Sequence, residues 1–555
     1  MPNRPADLIV TNARVLTMDE GNPRAEAVAI RDGNILAAGD RKTVGALKGE
    51  GTEMLDADGG SVLPGFIEAH MHLFAGATEL DQLQLAGVSG FDALAHRVRE
   101  YAASRPGAKL LQAQGADYTI LSDTERVTRH HLDRIVPDRP FAMTAPDHHT
   151  MWANTKALEA AGLIRGRQLG PGNEIVMGTD GLAEGELREG EAFGPLLELA
   201  GENRVRLGFS GAEPDPEPTA EEDAHDRAIL KRGLDWCAKH GITSLQNMDG
   251  NAHQLRLLTE LHDRGELLCR AQIPFHFKNF MKLDELKRAS AMAERYDNDW
   301  VSSGMVKVFY DGVLDSWTAV MVDEYSDRPG WVGEPLFTPE HFKEVAVEVD
   351  RRGLQIAVHA IGDGAVRAVL DGYEAARKAN GKRDSRHRIE HIEVTTRADV
   401  PRFAELGVLC SMQPPHPPGT GCFPLEPTVS RIGRERWPLA YAWRTLKNTG
   451  AHVVFASDWP VAPIDPILGI QCAVMRKPWA ASDPDQSFTL MEAVAGYTVE
   501  GAYAEFAEDR KGRLKPGFLG DLVVLSEDIE AVQPQRIHEV RPVTTVCGGR
   551  ITYQA

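Results

Sequence analysis

The sequence has 555 residues and carries 81 Asp and Glu against 61 Lys and Arg, which gives a net charge of −20. A chain of this length exceeds one simple hydrophobic core, so we expect two or more structural units. The acidic balance argues against nucleic acid or a membrane as the main partner, because either surface is bound through clustered Lys and Arg.

Both ends of the chain are predicted to form β-structure. Residues 7–60 alternate apolar and polar side chains in short runs, with turn residues such as Asp32-Gly33-Asn34 between them. The C-terminal stretch VTTVCGGRITYQ alternates in the same way, with Gly548-Gly549 as a hairpin turn. Because chain termini often lie close together, we predict one small β-sandwich built from residues 1–61 and 511–555.

Residues 62–510 change to apolar strands that alternate with helical stretches. Repeated β-α units indicate a parallel sheet, so the predicted fold class is α/β. Eight strands would suit a (β/α)8 TIM-like barrel, in which chemistry takes place at the C-terminal strand ends. The eight candidate strands are residues 62–67, 140–143, 243–247, 305–310, 354–359, 387–391, 408–412 and 452–456.

Two segments exceed what such a barrel requires. Residues from about 75 to 225 contain one or two candidate strands and much irregular sequence, and we predict that they form an insertion over the barrel mouth. Residues 413–427, QPPHPPGTGCFPLEP, cannot be helical through their prolines. They follow a candidate strand, so we expect them on the face that carries the chemistry.

His70 and His72 follow the apolar run that begins at Val62. Residues i and i+2 of a strand point to the same face, so the two imidazoles would project side by side. Two neutral imidazoles on one face form half of a divalent-metal site. The chain has 19 His, however, and a His-x-His spacing also arises by chance, so this pair alone leaves both interpretations open.

Four later strands each carry a ligand type at or near the strand end. They are Lys307, His359, His391 and Asp458. A lone His at a strand end is more often a hydrogen-bonded structural residue, and a buried Lys is often paired with an acid. Their occurrence on successive strands after a His-x-His pair favours one shared metal centre.

Five motifs in this order resemble those of the amidohydrolase superfamily of metal-dependent hydrolases. They are PGFIEAHMH, VKVFYDG, VHAIGD, RIEH and ASDWP. The resemblance is closest to the YtcJ-like branch of amidohydrolase family 3, which includes N-substituted formamide deformylase. It covers nearly the whole chain, including the β-rich ends.

The resemblance implies a ligand set on this sequence. The metal ligands would be His70, His72, Lys307, His359, His391 and Asp458. Lys307 occupies a position where many relatives carry a carbamylated lysine, N6-carboxylysine, that bridges two metals. Relatives hold one metal or two, and we expect Zn²⁺, because imidazole and carboxylate ligands suit it, with other divalent metals as alternatives.

The predicted activity is hydrolysis of a non-peptide C–N bond of the amide, N-substituted formamide or acyl-amine type. The metal would supply hydroxide by lowering the pKa of bound water, and Asp458 would act as general acid and base. Cyclic-amide hydrolysis, deamination and ester hydrolysis on the same scaffold remain alternatives. A non-enzymatic metal-binding relative is a further alternative from another class.

Further residues are candidates for catalysis or substrate contact. His148, with His149 beside it, lies in a segment that resembles one bordering the pocket in this branch, and His148 would contact the substrate or polarise its carbonyl, or the pair could equally be loop or capping residues. Asp311, Asp363 and Glu393 would lie near the site, the last two as groups that orient imidazoles or, equally, as helix caps. The aromatic residues considered for a substrate pocket are Phe74, Trp152, Trp317 and Trp459, although each could equally be a packing residue.

We expect a small-molecule substrate, and a homodimer is left open as the assembly. The N-terminus lacks the basic and apolar regions of a signal peptide. None of the six Cys forms a Cys-x-x-Cys pair, and no window is long and apolar enough for a membrane span. These features together predict a cytoplasmic protein.

Overall fold

The computed structural model describes residues 4–122, 124–145, 150–170, 173–420 and 422–555. The described strands are β1 (Leu8–Thr11), β2 (Arg14–Leu16), β3 (Arg24–Ala25), β4 (Ala27–Arg31), β5 (Asn34–Gly39), β6 (Glu53–Asp56), β7 (Ser61–Pro64), β8 (Phe66–Met71), β9 (Leu83–Gln84), β10 (Leu111–Gln114), β11 (Phe141–Thr144), β12 (Thr150–Ala153), β13 (Glu174–Met177), β14 (Ala183–Arg188), β15 (Ile242–Asn247), β16 (Arg270–Gln272), β17 (Phe275–His276), β18 (Val301–Ser302), β19 (Met305–Phe309), β20 (Gln355–Ala360), β21 (Arg388–His391), β22 (Leu409–Met412), β23 (Val453–Phe455), β24 (Leu522–Leu525), β25 (Pro542–Cys547) and β26 (Arg550–Gln554).

The described α-helices are α1 (Arg41–Gly45), α2 (Leu73–Glu79), α3 (Phe91–Ser104), α4 (Arg129–Ile135), α5 (Thr155–Ala160), α6 (Gly190–Ala200), α7 (Asn203–Ser210), α8 (Ala220–Lys239), α9 (Ala252–Asp263), α10 (Leu286–Arg295), α11 (Pro339–Arg351), α12 (Asp363–Asn380), α13 (Val400–Leu406), α14 (Thr428–Ile432), α15 (Trp443–Asn448), α16 (Pro466–Met475), α17 (Leu490–Gly496) and α18 (Val499–Ala504). Within the described ranges, no helix combines the length and the apolar composition needed to cross a bilayer.

The chain divides into two compact units. The first consists of residues 1–73 and 208–555, and the second of residues 74–207. Residues 208–225, which the sequence placed in the insertion, fall in the first unit. The reason is local, because α8 packs its buried face, including Leu230 and Leu234, against β15 and β25 of that unit.

In the first unit, both chain ends contribute to one sheet. Its strand order is β26-β25-β24-β7-β2-β3, so C-terminal strands pair directly with N-terminal ones. A second sheet has the order β5-β4-β1-β6. Apolar side chains from both sheets, among them Val10, Ile30, Val62 and Val524, form one buried cluster.

The apolar run that leads to His70 serves two different sheets. Its first half, β7, pairs with β24 and β2, whereas its second half, β8, pairs in parallel with β15. Gly65 separates the halves, and a Cβ atom there would lie 2.2 Å from the Thr243 hydroxyl oxygen. The chain can pass this close to β15 only because residue 65 has no side chain.

Two parallel sheets of the first unit carry the predicted ligands. Their strand orders are β18-β16-β15-β8 and β17-β19-β20-β21-β22-β23. Beyond the strand ends, the Asp458 N–H donates to the His70 carbonyl and the His72 N–H to the Trp459 carbonyl, both at 2.8 Å. The segments after β23 and β8, which lie in different sheets, are therefore joined by backbone hydrogen bonds.

One of the eight candidate strands was assigned to the wrong sheet. Residues 140–143 form most of β11, which lies in the second unit in a sheet of order β13-β14-β12-β11-β10-β9. In the first unit, β16 pairs in parallel with β15 and β17 pairs in parallel with β19, and the sequence predicted neither β16 nor β17. Pro274 lies between them and lacks a backbone N–H, which ends the strand pairing there. The apolar runs on either side are therefore too short to predict a strand.

Candidate metal centre

Asp458 faces the two imidazoles of the His-x-His pair. Its Oδ1 lies 3.3 Å from His70 Nε2 and 3.3 Å from His72 Nε2. All three side chains are buried. Because β8 ends at Met71 and β23 ends at Phe455, the parallel strands deliver these groups to the same edge.

His391 and His359 extend this cluster from the ends of β21 and β20. The His391 ring centroid is 4.8 Å from that of His70 and 4.5 Å from that of His359. His359 donates from Nε2 to the Gly312 carbonyl at 2.9 Å. Both His391 and Asp458 have positive φ, 75° and 61°, so the backbone is strained at two of these positions.

The donor atoms fit a divalent metal. Among the described residues, His70, His391 and Asp458 offer one ligand atom each, all within 4.8 Å of one another. His70 Nε2 and Asp458 Oδ1 are fully buried yet have no hydrogen-bond partner. A buried polar atom without a partner is costly, and two imidazoles with a carboxylate are a ligand set that Zn²⁺ accepts.

Carboxylate and amide groups fix the imidazoles from behind. His70 Nδ1 donates to Glu390 at 2.6 Å, His72 Nδ1 to Asp249 at 3.1 Å, and His391 Nδ1 to Gln413 at 2.9 Å. Each bond places the ring proton on Nδ1 and leaves Nε2 directed away from the acceptor. This is the arrangement by which proteins orient metal-binding histidines.

The charges of the cluster are mutually dependent. Burial opposes protonation of His72, but its hydrogen bond to Asp249 and the nearby negative charge of Asp458 outweigh burial and raise its pKa to about 9. Burial likewise opposes ionisation of Asp458, and the imidazoles of His70 and His72 nevertheless hold its pKa well below the usual range. The site therefore favours a positive charge beside Asp458, and a metal ion would compete with the His72 proton.

Lys307 lies in β19 and is fully buried, and its Nζ has no hydrogen-bond partner. Burial lowers its pKa to about 8, although the negative charges of Glu390 and Asp458 act in the opposite direction. The ammonium nitrogen lies 4.9 Å from the centroid of the Phe309 ring, which stacks on His359 at 4.7 Å. Lys307 therefore lies beside the imidazole cluster, with the Phe309 ring in contact with both Lys307 and His359.

Removing the carboxylate behind His72 tests its orienting role. We expect Asp249→Ala to weaken metal binding by about 10–100-fold, because His72 would lose the acceptor that fixes its tautomer and ring position. Metal affinity measured by competition with a chromogenic chelator checks this. Glu260→Ala, which removes a carboxylate of α9 that is hydrogen-bonded to Arg227 and Arg256, serves as control and should bind metal normally.

His416 is a site residue that the motifs did not single out. Its Nε2 lies 4.0 Å from Asp458 Oδ2, and its Nδ1 lies 3.8 Å from Glu393. Its ring stacks parallel to that of His391 at 6.2 Å. The signal available was its segment, residues 413–427, which the sequence placed on the active face.

Other contacts of the cluster were also missed. Glu390 stands inside the RIEH motif and Asp249 follows β15, so a carboxylate at a strand end was the available signal for both. Phe209 packs against His72, with ring centroids 4.9 Å apart. Phe209 lies near the end of α7, and its sequence neighbourhood offered no such signal.

Asp311 and Asp363 make backbone contacts rather than imidazole hydrogen bonds. Asp311 accepts three backbone N–H groups, and burial raises its pKa to about 7 against their influence. Asp311 Oδ1 lies 3.7 Å from His359 Nε2, which exceeds a hydrogen-bond distance. Asp363 accepts from the Val322 N–H at the start of α12.

The aromatic candidates lie in different surroundings. Trp459 is buried beside the cluster, since its carbonyl accepts from the His72 N–H. Trp317 is half-buried, and its indole N–H donates to Asp327 while Arg431 covers its ring at 3.7 Å. Phe74 and Trp152 are buried in the second unit. His148 lies outside the described residues.

Comparison with known proteins gives consistent results. A profile described as "Amidohydrolase family" matches residues 53–553. The putative amidohydrolase YtcJ of Bacillus subtilis is 27% identical over 97% of this chain and 98% of its own length. The N-substituted formamide deformylase of Arthrobacter pascens is 25% identical over 99% of this chain and 98% of its own.

Among solved structures, an uncharacterized metal-dependent hydrolase from Pyrococcus horikoshii superposes with a TM-score of 0.74. It is 25% identical, and the match covers 95% of this chain and 99% of that one. The similarity therefore extends over both units rather than over one motif.

Proposed function

This chain belongs to the amidohydrolase family, as its motifs predicted, and we propose that it is a metal-dependent hydrolase of a non-peptide C–N bond. The bond we propose is that of an amide, an N-substituted formamide or an acyl-amine. The name of the similar Arthrobacter enzyme supports this class of substrate. The observation that carries the proposal is the group of His70, His391 and Asp458, with buried donor atoms that have no partner.

We propose that the two parallel sheets of the first unit are the parts of one (β/α)8 barrel. In this interpretation β16 and β17 together occupy one strand position, and β8 neighbours β23. The backbone hydrogen bonds from Asp458 to His70 and from His72 to Trp459 support this arrangement. The sheets built from both chain ends would form the accompanying β-sandwich.

The residues proposed to hold a divalent metal, with Zn²⁺ preferred, are His70, His72, His359, His391 and Asp458, and Lys307 as its carbamate would serve a second ion. When bound, the metal supplies an activated water at neutral pH and polarises the substrate carbonyl. Glu390, Asp249 and Gln413 keep the imidazoles oriented for this purpose.

Asp458 is proposed to move the proton. Its low pKa means that it starts as a carboxylate and can accept a proton from the attacking water. It then delivers that proton to the departing nitrogen, which is otherwise a poor leaving group. For a formamide, water and R–NH–CHO are converted to R–NH₂ and formic acid. His416, 4.0 Å from the same carboxylate, is positioned to contact the substrate carbonyl.

Metal removal tests the proposed function. We expect dialysis against a chelator to reduce hydrolysis of formamides and acyl-amines to the uncatalysed rate, because the water is then no longer activated. Zinc added back should restore it. Elemental analysis and a substrate panel of formamides, acyl-amines, lactams, esters and aminopurines provide the measurements.

The same panel decides between the related activities. If a lactam were turned over fastest, the activity would be cyclic-amide hydrolysis. An ester as the fastest substrate would indicate ester hydrolysis, and an aminopurine would indicate deamination. A protein that binds no metal with His70 and His72 intact would contradict the proposal altogether.

A further inference from the structure

Two polar side chains at β17 have no partner that matches their chemistry. His276 is fully buried, and neither of its ring nitrogens makes a hydrogen bond. Lys278, two residues later, is half-buried, and no carboxylate in the described part of the chain pairs with its ammonium group. A fully buried imidazole without a hydrogen bond is costly, and Lys278 adds a positive charge without a counter-charge beside it, so this place calls for an anionic partner.

Both side chains flank Lys307. In the parallel pair of β17 and β19, His276 is directly opposite Lys307, so the two side chains leave the sheet on the same face. Phe309 follows Lys307 by two residues, and its ring stacks on that of His359 at 4.7 Å. The Phe309 ring centroid lies 5.1 Å from Lys278 Nζ, 4.9 Å from Lys307 Nζ and 5.3 Å from the His276 ring.

The unmodified side chains repel one another. Lys278 and Lys307 place two ammonium groups around one aromatic ring. Glu390 and Asp458 act on Lys307 from the other side, but Glu390 is already bonded to His70 and Arg388. A negative charge on Lys307 would convert the repulsion from Lys278 into attraction. It would also give an N–H of His276 an acceptor.

We propose that His276 and Lys278 are positioning residues that hold the carbamate of Lys307. This inference rests on the proposed function, which includes carboxylation of that lysine. His276 would donate a hydrogen bond to a carbamate oxygen, and Lys278 would supply the counter-charge. The tight group of metal donors contains His70, His391 and Asp458 but not His276, so the role of His276 lies behind Lys307.

The reaction that creates the carbamate is balanced with carbon dioxide as co-reactant. The Nζ lone pair of Lys307 forms a bond to the carbon of CO₂, and the electron pair of one C=O bond moves to its oxygen. An N–H proton leaves to water. A neutral amine and CO₂ thus give a carbamate anion and one proton, and no oxidant or reductant is needed.

Carbon-13 NMR of the metal-loaded protein in ¹³C-bicarbonate tests the proposal. We expect a carbamate resonance that Lys307→Arg lacks. His276→Phe and Lys278→Met should each lower its intensity about ten-fold at fixed bicarbonate. This equals the lower end of the loss of metal affinity or activity that follows removal of a group supporting a metal ligand. More bicarbonate should restore the signal. His276→Asn and Lys278→Arg, which keep an N–H donor and the charge, should retain most of it.

Lys282→Met is the matched control, because Lys282 is an exposed lysine of the same segment. It should leave the resonance unchanged. The proposal is wrong if the resonance persists in both His276→Phe and Lys278→Met, or if the wild type shows none that depends on Lys307. The proposal would also be overturned if Lys278→Met left the resonance intact and slowed the turnover of carboxylate-bearing substrates only. Lys278 would then bind the substrate rather than the carbamate.

The failure of this inference differs from the failure of the proposed function. A protein that hydrolyses formamides with bound metal and shows no carbamate keeps its function and loses only the role given to His276 and Lys278. A protein without metal or hydrolysis loses both. Circular dichroism of each variant separates loss of the carbamate from loss of the fold.

Discussion

Asp458→Asn is expected to lower kcat by about 10²–10⁴-fold, the range that a positioned general acid and base contributes. The carboxylate that we propose as acceptor of the water proton is replaced by an amide that cannot accept it at neutral pH. The substitution is nearly isosteric. It also suits the backbone, because Asp458 has φ of 61°, and Asn tolerates this left-handed region better than most residues.

Steady-state kinetics at saturating metal check this expectation, with metal content measured on the same samples. Asp509→Asn removes the same charge from a side chain that is 79% exposed, and it should leave kcat unchanged. Turnover close to that of the wild type in Asp458→Asn would remove Asp458 from proton transfer and leave it only as a ligand candidate.

The proximity of the first candidate ligands was predictable because strand geometry alone relates them. His70 and His72 are two residues apart on one strand, and Asp458 follows an apolar run of the same kind. Parallel strands end at one edge, so side chains at their ends meet although hundreds of residues separate them. The structure places Asp458 Oδ1 3.3 Å from both imidazoles.

Strands β16 and β17 were not predictable from their pattern. Their stretch RAQIPFH includes Arg270 and Gln272, polar residues that are nevertheless buried. Arg270, for example, is hydrogen-bonded to Asp521, which lies 251 positions away in the chain. Because these strands were not predicted, His276 and Lys278 were not recognised as residues at or near a strand end. Residues 140–143 were counted among the eight candidate strands instead, because a short apolar run does not reveal which unit its strand belongs to.

The groups that support the ligands were hidden for a related reason. Glu390 and Gln413 are visible as polar residues near motifs, but the sequence does not say which imidazole each one contacts. Those pairings depend on which strands are neighbours and on their register, such as His359 opposite Glu390. Register is a property of tertiary packing, so local patterns do not determine it.

Loss of Arg388 should strongly destabilise the first unit. It is fully buried and bonds to four parallel strands, through the Ala69 carbonyl at 2.7 Å, Gln246, Glu390 and the Ser411 hydroxyl at 2.8 Å. Burial opposes ionisation of Glu390, and Arg388 and His70 together hold its pKa well below the usual range. Arg388→Met would leave this carboxylate buried without its main partner.

We expect Arg388→Met to lower the free energy of unfolding by about 3–5 kcal/mol, the usual cost of breaking a buried ion pair from one side. Chemical denaturation followed by circular dichroism measures it. Arg536→Met breaks a fully exposed ion pair with Glu539 and should produce no measurable change. An equal response of the two variants would contradict the structural role of Arg388.

The double variant Arg388→Met/Glu390→Met separates stability from function. Replacing both members of a buried ion pair by apolar side chains is often neutral, because no uncompensated charge remains. Most of the lost stability should therefore return. Metal affinity should fall below that of Arg388→Met, because His70 Nδ1 then lacks the Glu390 carboxylate that lies 2.6 Å away in the wild type. A double variant with both restored stability and wild-type metal affinity would show that Glu390 supports the fold rather than the orientation of His70.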